Sequence, residues 1–456
     1  MRVVGFAVVA AVAGCIALGG VAQAEERRVT NAEELTAALD AAGEGDEIVL
    51  EPGTYAGQLY RETLRQVTIR SADRNNPAVI EGGDYGLHLA DPVQVTLSDL
   101  VFQGQAENGI NIDDAGSYET PARDINLINI TVKDIVNSGN HDAIKMAGVE
   151  NFIIDGARIE NWGDDGSAID FVGCRNGLVQ NSLLIHTALK VGGSGIRPKG
   201  GSKDIVIRAN RIELPAETGR AIQAGGSTDA EFFRFAEGDK DYEAAGITIE
   251  GNVVIGGGAA FSWVNIDGGI VHHNLAQGQA PWVMRILNEN PGTAIVVTKN
   301  GQFRDNEIAF ATGGAFNSVV NVGDDTAPET FQFAGNRWVN LADPTPDGSR
   351  PKLPAEESGG IYGEALANAP DRVQVWAFPW GKWLVNASAE DRSVEVADAA
   401  GLKRVLPGEG ARFGPLEERP LTGSWSATDL AGGTLTLPAM SQAILISPAT
   451  CGGCLE

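Results

Sequence analysis

The chain has 456 residues, 58 of them glycine, and a formal net charge of −26. That acidity excludes a nucleic-acid binder, which needs basic surface, and disfavours an anionic membrane surface. An apolar fraction of 43% excludes disorder, and the glycine content excludes a helical bundle, which leaves short strands joined by tight turns.

In chain order, residues 1–24 read first as a secretory signal. Arg2 is a minimal basic start, Val3 to Leu18 is almost wholly apolar, and Ala22-Gln23-Ala24 is a small-x-small cleavage site. The expected location is secreted or periplasmic. Val12-Ala13-Gly14-Cys15 also looks like a lipobox, so a lipid anchor through Cys15 is the alternative. No other stretch reaches the ~18 apolar residues of a transmembrane segment.

Residues 31–42 have Leu35, Ala38, Leu39 and Ala42 on one helical face, with Asn31 as N-cap, Glu34 completing a capping box, and Gly43 as the stop. A short amphipathic helix before a run of strands reads as a cap over an open sheet edge.

From there to residue 344 the sequence repeats with an irregular period of roughly 22 to 40 residues. One recurring unit is small, apolar, polar: Gly109-Ile110-Asn111, Ala143-Ile144-Lys145, Ala168-Ile169-Asp170, Gly195-Ile196-Arg197 and Ala221-Ile222-Gln223, at spacings of 34, 25, 27 and 26. A second is an apolar residue with Asn three positions later: Leu178/Asn181, Ile207/Asn210, Ile249/Asn252, Val271/Asn274, Phe303/Asn306 and Phe333/Asn336. Stacked asparagines bonding along one turn of successive coils give a structural ladder. The fold expected for 25–344 is an all-β, right-handed parallel β-helix, a solenoid whose coils climb ~4.8 Å each.

A Pro-rich linker spans 345–371. Residues 372–448 alternate apolar and polar, so 372–456 is expected to be a small antiparallel β-sandwich-like domain. Trp376, Trp380 and Trp383 read as packing residues more than as a sugar platform. Cys174 reads as a buried small hydrophobe, and Cys451-Gly-Gly-Cys454 as a local disulfide. Of the five histidines only His141 is expected near the charged residues described next.

The polar position of the first unit holds Asn111, Lys145, Asp170, Arg197 and Gln223, so adjacent coils stack them one strand spacing apart. Lys199, two residues past Arg197, shares its face, and Arg220 opens the next coil. Asp142, Asp164 and Asp165 lie in turns on the same flank. Such a stripe is either a self-neutralising charge ladder or a site for a polyanion. Its acidic part (Asp142, Asp164, Asp165, Asp170) offers oxygen ligands for a hard cation. Its basic part (Lys145, Arg197, Lys199, Arg220) offers carboxylate binding and a general base. His141, Trp162 and Gln223 are the remaining substrate-binding candidates, Trp162 being equally suited to the core.

The opening TNAEELTAALDAAGEGDEIVLEPGTYAGQL resembles the chondroitinase B/alginate lyase family of polysaccharide lyases, and residues 29–344 resemble the wider pectate-lyase-like β-helix superfamily. The resemblance implies a Lys base, an Arg one coil later and calcium on a uronic carboxylate. Lys199 and Arg220 match by type and coil, with Lys145 as rival base. The expectation is therefore β-elimination on an acidic, uronate-containing polysaccharide by a monomer. Two alternatives stand beside it. Asn140-His141-Asp142 and Gly163-Asp164-Asp165 resemble polygalacturonase motifs, which implies acid–base hydrolysis by Asp142, Asp164 and Asp165. A non-catalytic glycan-binding or structural β-helix is the other.

Overall fold

The computed structural model describes residues 24–116, 119–136, 138–235, 238–399, 401–407, 425–430 and 433–447. The signal segment to residue 23, Cys15 and the Cys451/Cys454 pair lie outside the described residues.

The fold is a right-handed parallel β-helix whose strands form three parallel ladders. The first runs from Glu26–Val29 to Glu357–Ser358, all parallel. The second starts at Thr54–Ala56 and the third at Leu59–Glu62. The long strands Arg211–Gly225 and Val253–Val264 bend through both and join them. Glu357–Ser358 and Ile361–Tyr362 add further pairing inside the stretch read as a linker.

Strand alternation drives the stack. Ile110, Ile144, Ile169, Ile196 and Ile222 point inward and are fully buried, while the polar residue after each points out. The N-terminal helix is Ala32–Ala41. Leu35, Ala38 and Leu39 are buried against the first coils, and Asn31 Oδ1 accepts from Glu34 N at 2.9 Å. The Glu34 carboxylate reaches one residue further back than a capping box requires, to Thr30 N at 2.7 Å.

The asparagine ladder forms over five coils. Asn210, Asn252, Asn274 and Asn306 each donate Nδ2 to the Oδ1 of the next Asn at 3.0 Å, and Asn336 ends the run on Glu357 at 2.7 Å. Asn181 is displaced by one residue. It turns at φ 51° and bonds Asp155, and Ser182 takes the ladder position, donating its N–H to Asn210 Oδ1. Cys174 is buried and free, with Sγ 3.4 Å from Met146 O.

Near the C-terminus, Gln374–Phe378, Gly381–Asn386, Lys403–Pro407, Trp425–Asp429 and Ser441–Ile446 form an antiparallel sheet. Arg392–Glu395 pairs with Thr434–Leu437 beside it. Trp376, Trp380 and Trp383 are buried together with Ala209, Val253 and Leu275 of the coils, so they bind the sheet to the stack and offer no sugar platform. Gly251, at φ 62°, is required there, because a Cβ would lie 2.0 Å from the Trp383 ring. Among the described residues no helix is long and apolar enough to cross a membrane.

Candidate active site

Strand register builds the site. Tyr60, His88, Asn111, Lys145, Asp170 and Arg197 occupy one outward position on consecutive coils of the third ladder. Gln223, Ser262, Arg285 and Asn321 continue the same row. The five polar positions read from the repeat thus do stack. His88 was missed because Gly86-Leu87-His88 has Leu where the repeat mostly has Ile. It, and not His141, is the histidine on the ladder; His141 lies half-buried in the neighbouring turn, where its carbonyl accepts from Gly163 N.

Asp170 is the hub of the charges and is fully buried. Its Oδ1 accepts from Arg197 Nε at 3.1 Å and faces Lys199 Nζ at 3.5 Å, while Lys145 Nζ lies 3.3 Å from its Oδ2. Burial alone would raise the Asp170 carboxyl, but Lys199, Arg197 and Lys145 outweigh it and hold the group ionised well below the usual carboxylate range. Asp142 is buried too. It accepts from Lys145 Nζ at 2.8 Å and from Ser167 N at 2.8 Å, yet burial and the nearby Asp170 push it upward.

The two lysines are driven apart. Burial opposes the charge on Lys145, but Asp142 and Asp170 more than restore it, so it stays firmly an ammonium. Lys199 is shifted down. Burial is the main cause, and the charges of Arg197 and Lys145 add to it against the pull of Asp170. Arg197, also on Asp170, is held charged.

Lys145 and Lys199 open on one cleft of about 640 Å³, together with Asn111, Asp113, Asn140, Thr228, Phe232 and Arg234. Its wall is the insertion after Gly225, described over 226–235 and 238–243. Glu243, fully buried, staples that segment: its carboxylate accepts from Thr228 N and Oγ1 at 2.7 Å, Gly200 N at 2.8 Å and Asn290 Nδ2 at 2.8 Å. Arg234 makes a bidentate pair with Asp114, at 2.9 and 3.1 Å. The wall lies close enough to the coils that a Cβ on Gly173 (φ 61°) would sit 2.2 Å from Arg234 Cβ. Asp113 closes the cleft on the other side. It contacts His88 Nε2 at 2.6 Å, and that bond helps hold its carboxyl below the usual range against burial.

Several expected site residues fall elsewhere. Trp162 is a core residue, fully buried and edge-on to His186. Gln223 is 1% exposed, and its amide is spent on Arg220 Nη1 and Gly225 O. Arg220 pairs across the sheet with Ser194, five residues along the strand from the Lys199 column, and bonds Glu289 at 2.8 Å. The expected quartet of Asp142, Asp164, Asp165 and Asp170 does not assemble. Asp164 accepts from Gly139 N at 3.0 Å and pairs with Lys190, as Asp165 does more distantly. Among the described residues no three His, Cys, Asp or Glu side chains converge to hold a metal. With Asp142 and Asp170 committed to lysine and arginine, the donor set does not fit Ca2+, and no step below runs through a cation.

Asp113 and Arg234 were also missed. Asp113 follows Asn111 by two, as Lys199 follows Arg197, so strand alternation carried a signal for it. Arg234 stands in an insertion with no counterpart in neighbouring coils.

No family model and no curated protein matches the chain. Solved structures of similar fold include an alginate lyase from a Paenibacillus species, at 20% identity and a TM-score of 0.43 over 68% of this chain and 94% of that one. Another is the A-module of a mannuronan C-5 epimerase from Azotobacter vinelandii, at 14% identity and 0.49 over 72% and 94%. A third is a polygalacturonase from Erwinia carotovora, at 11% identity and 0.43 over 73% and 92%. At these identities the likeness concerns the fold alone.

Proposed function

We infer that this chain is an exported polysaccharide lyase that cleaves a uronate-containing glycan by β-elimination. The observation that carries the reading is Lys199: a largely covered amine shifted toward its neutral form, opening on a cleft beside a lysine held charged.

The chemistry follows from that difference. Lys145 has three N–H donors and gives two to Asp142 and Asp170, which leaves one for a substrate carboxylate in the cleft. Partial neutralisation of that carboxylate makes the adjacent C5–H of the sugar more acidic. The neutral Lys199 amine takes the C5 proton. The electron pair closes the C4=C5 double bond as the C4–O glycosidic bond breaks, and the leaving oxygen takes a proton from water. Asp170 and Arg197, both largely covered, position the two lysines. Hydrolysis by aspartates is less well supported, since Asp142 is fully buried and Asp164 is engaged by Lys190 and Gly139 N.

The test is ultraviolet absorbance during incubation with alginate, polygalacturonate, chondroitin and glucuronan, with the Lys199→Ala protein as control. Rising absorbance from unsaturated uronate ends, absent in the variant, supports the reading. New reducing ends without absorbance would replace it with hydrolysis. No change in either, with binding retained, would leave a glycan-binding protein. A chelator arm measures any contribution of calcium.

A further inference from the structure

We propose that Arg285 and Arg220 form a second anion site on the same ladder, which grips another acidic group of the glycan held in the Lys145/Lys199 cleft. The proposal rests on the lyase reading above for the nature of that glycan.

Past Arg197 the row continues through Gln223 and Ser262, both 1% exposed, to Arg285. Three strand spacings separate Arg285 from Arg197, roughly 14 Å. Arg285 is half-buried, with Nε donating to Asn321 Oδ1 at 3.0 Å and the guanidinium 4.5 Å above the Trp282 ring. Among the described residues it has no carboxylate partner, unlike Arg197 and Arg220. Burial, helped by the charge of Arg220, lowers it to about 10.

Arg220 reaches the same row through Gln223, two coils before Arg285, close enough for its charge to act on Arg285. Its Nη2 lies 2.8 Å from Glu289 Oε1 and its Nη1 2.5 Å from Gln223 Oε1, while its Nε is buried without a partner. The two guanidinium groups thus have one carboxylate partner between them, Glu289 on Arg220, in a protein whose net charge is −26. A partly desolvated guanidinium with open donors is completed best by a planar carboxylate or a sulfate, which it binds bidentately. Its distance from the cleft means that one short sugar cannot fill both. The ligand that fits is an oligomer with acidic groups on several residues.

The experiment uses the full chain carrying Lys199→Ala, so that oligomers stay intact, with and without Arg285→Gln. Binding of unsulfated oligouronates and sulfated chondroitin oligomers, from disaccharide upward, is measured by calorimetry. Arg285→Gln is expected to weaken long oligomers by about tenfold and disaccharides hardly at all. Arg285→Lys should recover part of the loss, because it restores charge without the bidentate fork. Unequal loss between the two series tells carboxylate from sulfate. Equal loss at every length, or tight binding of long oligomers untouched by Arg285→Gln, overturns the second site and leaves the cleft reading standing. If no oligomer binds either protein, both readings fall. Melting curves of each variant guard against misfolding.

Discussion

Lys199 Nζ lies 3.5 Å from Asp170 Oδ1, an oxygen already bonded to Arg197 Nε at 3.1 Å. Lys199 is thus the more distant of two cations on that oxygen, with Lys145 on the other. Asp170 faces three cations, of which Lys145 also has Asp142, and Lys199, the least well served of them, is the one shifted toward losing its proton. Asp170→Asn should therefore act twice. It leaves buried cations uncompensated, at a cost of about 3–5 kcal/mol in stability. It also removes the charge that favours the ammonium of Lys199, so any surviving activity should shift its alkaline rise to lower pH. A melting curve and a pH–rate profile on the same variant check both. An unmoved profile would mean that Lys199 is not the base.

Lys199 and Lys145 should separate kinetically. Lys199→Ala removes the proton acceptor and should lower kcat by about 10²–10⁴-fold, with little change in substrate binding. Lys145→Gln removes a carboxylate contact and should act mainly through KM. In the wild type the rate should climb with pH as Lys199 deprotonates, through a value below the 10.5 of an ordinary lysine. Steady-state kinetics at several pH values measure all three. A larger kcat loss in the Lys145 variant would exchange the two roles.

Glu243 holds the cleft wall by four hydrogen bonds to three segments. Glu243→Ala removes all of them and should loosen the 226–235 wall while the coils remain intact. Limited proteolysis should cut within that segment, and KM should rise by about tenfold, the effect of losing roughly 1.4 kcal/mol of binding. Unchanged proteolysis would show that Arg234 and Asp114 suffice to hold the wall.

The parts of the site that were legible are those that obey strand register. A small-apolar-polar unit once per coil forces its polar residues into one row, so Asn111, Lys145, Asp170, Arg197 and Gln223 could be stacked from spacing alone. Which of them meet a ligand was not legible. Gln223 and Asp170 are in the row but covered, because neighbouring side chains and insertions close over them. The turn aspartates Asp164 and Asp165 looked like partners of the row by sequence distance, yet turns have no register and theirs bends toward Lys190. Asn181 shows the limit in the fold itself: a pattern of apolar residue plus three counts positions, and one left-handed turn residue shifts the count.

The asparagine ladder is a chain in which each member depends on two neighbours. Asn252 Oδ1 accepts from Asn210 N and Nδ2 at 3.0 Å, and its Nδ2 donates to Ile207 O at 2.9 Å and Asn274 Oδ1 at 3.0 Å. Asn252→Ala strands these groups in the core, where each orphaned polar group costs about 1–3 kcal/mol. The expected loss is about 2–4 kcal/mol, read as a lower denaturant midpoint. Asn336→Ala, at the end of the run, should cost less. Equal losses would mean that the bonds act singly and not as a chain.

Glu250 gives the coils a titration of their own, far from the cleft residues. It is fully buried, bonded by Arg208 Nε at 2.7 Å and within 2.9 Å of His272 Nε2. Burial alone would raise its carboxyl, but Arg208 and His272 lower it from 4.5 to about 2. The folded value lies below the unfolded one, so the stabilisation is complete above about pH 4.5 and drains away as pH falls toward 2. A shift of that size corresponds to about 3 kcal/mol. Glu250→Gln removes the titration and leaves Arg208 without its counter-charge. The variant should be less stable than wild type at neutral pH, and the gap should narrow steadily between pH 4.5 and 2. Denaturant midpoints across that range decide it: a gap that stays constant would assign the acid sensitivity of the coils to other carboxylates, with Asp170 the first to examine.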